Sequence, residues 1–213
     1  MFPYLSDHPV VFVKYGGTQR QAEGEMQMLA FNWVGPERQK SNFNIYVPEE
    51  LKAQSWEDDV FKKYFDLVTE GVQLLRRIPL PVDLVGPGPV ASNPRTIRHM
   101  IFKDYESAIE YGTVEELQDH LNRVARLGYH TNPNPPQVTL EEELVFCYTD
   151  FNDQNFMFST DTDHCPQRLY IVDFEHTSFL PVSFLSFAVF EPDSRWFLCR
   201  PGRGLGTLCH EIT

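Results

Sequence analysis

Hydrophobic side chains recur along this chain with two periods, and the switches between them mark its elements. Apolar Ala22, Met26, Leu29, Ala30 and Trp33 share one face of a helix expected over residues 18–33, with Gly35 and Pro36 as its stop. A second stripe, Val60, Tyr64, Val68, Val72 and Leu75, follows Ser55 as a cap. Glu57, Asp58 and Asp59 suit the positive N-terminus of that helix and Arg76 and Arg77 its C-terminal end, before Pro79. A third helix begins at Thr113, where T-V-E-E forms a capping box through Glu116. Val114, Leu117, Leu121 and Val124 take its core face, Gly128 ends it, and His120 and Asn122 lie off the stripe and are expected to face solvent.

Runs that read as strands lie at 10–15 (VVFVKY, closed by Gly16 and Gly17), 44–47, 144–147, 154–158 and 169–172. A polar hairpin loop is expected over 159–167, and residues 179–190 are apolar enough for a buried helix starting after Pro181. The proline-rich stretch 79–94 and the turn-rich stretch 131–136 read as loops, and 201–213 shows no periodicity.

With 213 residues and 42% hydrophobic content, the chain suits one domain or two small lobes around a sizeable core. A net charge of -12, with no cluster of Lys and Arg, argues against nucleic acid or an anionic membrane as partner. Cys147, Cys165, Cys199 and Cys209 form no C-x-x-C pair, so they are expected as free thiols in a reducing compartment. Cys199, Cys209 and His210 read as two core thiols and a surface histidine, and no spacing of a zinc site is present. There is no basic leader and no apolar run near ~18 residues, so a cytoplasmic protein without a membrane segment is expected.

Candidate chemistry concentrates in residues 145–174, VFCYTDFNDQNFMFSTDTDHCPQRLYIVDF. Asp150 and Asn155 have D-x-x-x-x-N spacing, and Asp173 closes an apolar strand. A Mg-nucleotide phosphotransferase needs such a set: the first acid positions a substrate hydroxyl, while the amide and the second acid hold Mg²⁺ against the phosphates. Mg²⁺ keeps several waters, so two protein ligands suffice. Each residue alone has a plainer reading, Asp150 and Asn155 as a turn that bonds its own backbone and Asp173 as a strand-end cap. Their order with the alternating strands carries the stronger reading. Upstream, Lys14 ends an apolar strand face, where its stem can also simply reach water. Glu25 lies at the margin of the following helix face, with Glu23 pointing further away. A strand lysine and a helix glutamate are how kinases fix their phosphate-binding cation.

These residues resemble the fungal aminoglycoside-phosphotransferase-like family, which shares the protein-kinase-like fold. The resemblance rests on VFVKYG, the AEGEM helix, GPGPV at 86–90, EELQDHLN, CYTDFNDQNF and IVDFEH. It implies an α+β, two-lobe domain over 1–213, with a reduced N-terminal sheet and connection at 1–53 and a mainly helical lobe at 54–213. It further implies Asp150 as catalytic acid-base residue, Asn155 and Asp173 as Mg²⁺ ligands, Lys14 on the phosphates of ATP, and Glu25 as the partner of Lys14. Where the family places His-Gly before the catalytic Asp, this chain has Tyr148 and Thr149. Only 13 residues precede Lys14 and few separate Trp33 from Ser55, so the chain resembles a shortened member with a trimmed nucleotide clamp.

The expected activity is ATP- and Mg-dependent transfer of phosphate to a hydroxyl of a small-molecule acceptor. The alternatives are a pseudokinase-type binding module of the same fold and a carboxylate-metal hydrolase. Lys14 and Glu25 weigh against the hydrolase, which would not require them.

Overall fold

The structure, a computed structural model, describes residues 18–34, 59–90, 94–160 and 166–190. Within them are four α-helices, α1 (Thr18–Val34), α2 (Asp59–Arg76), α3 (Val114–Gly128) and α4 (Val182–Phe190). Four strands accompany them, β1 (Leu144–Tyr148), β2 (Phe156–Thr160), β3 (Pro166–Ile171) and β4 (Thr177–Pro181). The architecture is α+β, with two antiparallel two-stranded sheets, β1 with β4 and β2 with β3. The expected strands at 10–15 and 44–47, the Ser55 cap, Cys165, Cys199, Cys209 and the 201–213 tail lie outside the described residues.

The helical stripes bury as their spacing dictates. On α2, Tyr64, Val68, Val72 and Leu75 are buried, and the helix packs on β1 and β3. Gly71 lets it approach closely, since a Cβ there would come within 2.8 Å of the Leu169 side chain on β3. On α1, Ala22, Met26 and Ala30 are buried, whereas Trp33 is exposed, which corrects its expected core position. On α3, the Thr113 side chain accepts the Glu116 amide at 3.2 Å, and the Glu116 carboxylate accepts the Gly112 amide at 2.7 Å. The reciprocal cap therefore reaches one residue further back than the usual box.

Three expectations for α3 are corrected. Val124 is exposed, while Leu117, nearer the N-terminus of the helix, is fully buried. Asn122 is not solvent-facing: its side chain donates to the Val138 carbonyl at 3.0 Å and accepts the Val138 amide at 2.7 Å, pinning the loop that returns along the helix. His120 is half-buried, with Nδ1 2.6 Å from the Tyr111 hydroxyl.

The apolar run 179–190 divides at Pro181. Its helical part begins at Val182 as expected, but Thr177–Pro181 is a strand, β4, which runs against β1 in the register Leu144↔Pro181 to Tyr148↔Thr177. The proline-rich loop adds to this sheet, because Gly88 exchanges both backbone bonds with Phe179, at 3.0 and 2.9 Å. Around the β1–β4 pair, Phe146 meets Phe179 and Phe174 edge-on, and Tyr148 meets Phe151, Phe156 and Phe174. Such contacts add about 0.5–1.5 kcal/mol per pair beyond burial. Cys147, alternating with Phe146 and Tyr148 along β1, is a buried free thiol whose Sγ donates to the Leu180 carbonyl at 3.7 Å, and burial pushes its pKa up to about 12.

His99 is fully buried. The Ile101 amide donates to its Nδ1 at 3.1 Å, so Nε2 carries the proton and donates to the Phe184 carbonyl at 3.0 Å. A neutral imidazole with both nitrogens satisfied links the 97–107 turn to α4.

Candidate functional site

Strand β1 delivers the expected acid through two buried polar residues. Tyr148, its last residue, donates its hydroxyl to the Val172 carbonyl at 2.7 Å. Thr149 donates both its amide and its hydroxyl to the His176 carbonyl, at 3.2 and 2.7 Å. The β2–β3 register sets Phe156 opposite Ile171. Just before it, the Asn155 carbonyl accepts the Val172 amide at 3.0 Å. Asn155 is itself buried, and its amide nitrogen donates to the Asp150 carbonyl at 3.3 Å. The backbone at Asp150, Asn155 and Asp173 is thereby brought to the same end of the β1–β4 and β2–β3 pairs.

Tyr148 reports on the charge there. Burial raises its phenol pKa far above the ordinary value, the charges of Asp150 and Asp173 add to the rise, and a hydrogen bond from the Asn155 side chain opposes it. With its amide nitrogen so engaged, Asn155 has Oδ1 as the atom suited to a hard cation.

The 150–155 loop is also held by local bonds. Asp150 Oδ1 accepts the Asn152 amide at 3.2 Å, Asn152 Oδ1 accepts the Gln154 amide at 3.0 Å, and the Asn155 amide donates to the Asn152 carbonyl at 3.0 Å. The plainer role of Asp and Asn, bonding their own backbone, coexists here with their placement beside Asp173.

Asp173 has φ 59° and ψ 76°, a left-handed conformation in a residue that is not glycine. That geometry costs on the order of 1–2 kcal/mol and needs surrounding structure to hold it. Oxygen atoms of Asp173, Glu175 and Glu23 all lie within 4.8 Å of one another. At an effective dielectric of ~20, like charges so spaced repel by on the order of 3 kcal/mol per pair. One compensating cation is Arg20, whose guanidinium donates to Glu23 at 2.8 Å and to Glu175 at 2.6 Å. Its own pKa is raised, first by the hydrogen bond to Glu23 and also by the charge of Glu175. Three carboxylates supply only hard oxygen donors, a set that suits Mg²⁺.

Helix α1 turns Glu23 inward, at 5% exposure, and not Glu25. The Glu25 carboxylate instead accepts the Gln21 side chain at 3.0 Å on the exposed side. The expected orientation of the two glutamates is thus reversed. A difference of two residues turns a side chain by about 200° around a helix axis, so a modest error in the inward direction exchanges them. Lys14 lies outside the described residues.

Beside the acids, a cavity of about 120 Å³ opens between α1, residues 89–106 and residues 174–177. Glu23, Glu175 and Arg98 line it, and the Arg98 Nε is buried without a hydrogen-bond partner. Neither Asp150 nor Asn155 borders it. Sequence reasoning did not single out Arg20, Glu175 or the hydroxyl of Tyr148. The signals that could have found them were the i,i+3 spacing of Arg20 and Glu23 and the Glu two residues after Asp173.

A family model, that of the ecdysteroid kinase-like family, matches residues 93–184. That stretch runs from the proline-rich loop to the first turn of α4 and includes Asp150, Asn155 and Asp173, and over it the chain is similar to a protein-kinase-like family. Comparison with curated proteins and with solved structures gives no match. No helix among the described residues is long and apolar enough to cross a membrane.

Proposed function

We propose that this chain is a kinase-like phosphotransferase that moves phosphate from ATP to a hydroxyl of a small molecule. The observation that carries the reading is the gathering of Asp150, Asn155 and Asp173 beside Tyr148, within the stretch matched by the kinase-like family. Asp150 takes the role of orienting the acceptor hydroxyl and receiving its proton on a carboxylate oxygen. Asn155 Oδ1 and the Asp173 carboxylate hold Mg²⁺, with Glu175 and Glu23 as further oxygen donors near Asp173. When bound, the metal supplies neutralisation of charge on the phosphates. Lys14 is the cation for those phosphates, and its carboxylate partner on α1 is Glu25 by the resemblance to the fungal aminoglycoside-phosphotransferase-like family or Glu23 by burial.

A second reading, a binding module of the same fold without turnover, is favoured by one feature. Arg20 already occupies both Glu23 and Glu175, the two acids beside Asp173. Thermal unfolding with and without Mg-ATP tests the site. The wild type is expected to gain a nucleotide- and Mg-dependent rise in midpoint, and Asp173→Asn is expected to lose it. Asn tolerates the left-handed backbone that Ala would strain, so this variant removes charge and not fold. An equal rise in both proteins would remove Asp173 from the site, and no rise in either would remove nucleotide binding. Where a rise is seen, transfer of labelled phosphate to candidate hydroxyl compounds separates the enzyme from the silent module.

A further inference from the structure

We propose that Tyr148 and Thr149 are positioning residues, a two-point clamp that sets the direction of the Asp173 carboxylate from the strand that carries Asp150. This rests on the reading of Asp173 as a metal ligand. The clamp closes on both sides of the Asp173 bend. On its near side, the Val172 carbonyl accepts the Tyr148 hydroxyl at 2.7 Å, and the Val172 amide is held by the Asn155 carbonyl at 3.0 Å. On its far side, the His176 carbonyl takes two donors from Thr149, at 2.7 and 3.2 Å. Between them, Phe174 is fixed by the edges of Phe146 and Tyr148, and its carbonyl accepts the Thr177 hydroxyl at 2.5 Å.

Burying a hydroxyl is unfavourable unless it is bonded, and apolar residues would pack the same space at less cost. Tyr148 and Thr149 are each about 1% exposed, yet both hydroxyls are aimed at carbonyls that flank one strained residue. The two residues also directly precede Asp150. One dipeptide therefore couples the acid proposed to orient the hydroxyl to the acid proposed to hold the metal. A metal ligand on a bend with φ 59° points correctly only while both ends of the bend are held.

The test is titration of the full chain with Mn²⁺, alone and with ATP, read by the electron paramagnetic resonance of free Mn²⁺ well below the unfolding temperature. Tyr148→Phe keeps the ring and removes one donor, Thr149→Val keeps the shape and removes another, and Thr149→Ser restores the second. Loss of outer-shell support typically weakens metal binding by about 10–100-fold. A weakening of ~10-fold or more is expected for Tyr148→Phe and for Thr149→Val, with recovery in Thr149→Ser. Leu117→Ala, a core truncation in α3, serves as the control for stability alone and is expected to bind as wild type. If the wild type binds Mn²⁺ and both clamp variants bind equally well, the clamp is refuted while the metal reading stands. If the clamp variants weaken no more than Leu117→Ala, the role is structural and the proposal also fails. If the wild type binds no Mn²⁺ with or without ATP, the metal reading of Asp173 falls and the clamp falls with it. Should Tyr148→Phe not fold, the Thr149→Val and Thr149→Ser pair decides.

Discussion

Acid should destabilise this protein through one residue, His99, before most carboxylates titrate. The ring is fully buried, and burial is the main cause that lowers its pKa from 6.5 to about 4. The bond to the Phe184 carbonyl opposes that lowering, and the charge of His176 adds to it. Because the folded pKa lies below the unfolded one, the unfolded chain takes up the proton first. The stabilisation from keeping His99 neutral is fully present above about pH 6.5 and is lost as the pH falls towards about 4. Every pH unit that separates the folded from the unfolded pKa is worth ~1.4 kcal/mol, so the loss across this window is on the order of 3 kcal/mol. Protonation would also turn Nδ1 from acceptor to donor and break its bond from the Ile101 amide. Urea unfolding at a series of pH values across the window, on the wild type and on His99→Gln, measures this directly. The variant starts less stable, but its stability should fall less steeply. Carboxylates such as Glu141, whose pKa is lowered by its bonds from Ser183 against the opposing effect of burial, titrate in both proteins and cancel in the difference. Parallel stability profiles for the two proteins, or a wild type that grows more stable towards pH 4, would refute the assignment of a buried neutral imidazole.

Other expectations follow from packing and charge. Leu117→Ala removes a fully buried side chain and should cost about 2–5 kcal/mol in urea unfolding at unchanged slope; a cost under ~1 kcal/mol would mean that α3 is not packed as described. Arg20→Gln removes the guanidinium shared by Glu23 and Glu175 and should destabilise by ~1 kcal/mol. That loss should shrink as salt is raised above ~0.15 M, and a salt-independent loss would show that packing, not charge, holds α1 to the 174–177 turn.

Much of the fold around the candidate site was readable because its signals are local. The helical stripe of α2, that of α1 up to Ala30, the Thr113 cap and the helix starting after Pro181 depend on neighbours a few residues away, and they appear where the pattern puts them. The order of strand, Asp150, Asn155, hairpin and Asp173 is likewise a local grammar. Even there, the sequence allowed Asp150 and Asn155 to be a mere turn, and the structure shows that they make such a turn as well.

The sequence by itself determined which segments are amphipathic, where they start and stop, and which acids and amides are available near one another along the chain. Only the tertiary structure decided which of these groups face each other. Residues 177–181 became a strand because β1 offers a pairing edge, a partner about 30 residues away that no local pattern names. Glu23 faces inward in place of Glu25 because packing sets the rotation of α1, and each residue turns the face by about 100°. Arg20 meets Glu175 across 155 residues of chain. Tyr148 and Thr149 meet the bend at Asp173 through hydroxyls whose partners are backbone carbonyls, and a carbonyl is present at every residue. Sequence therefore cannot mark which one is met, and the fold selects it.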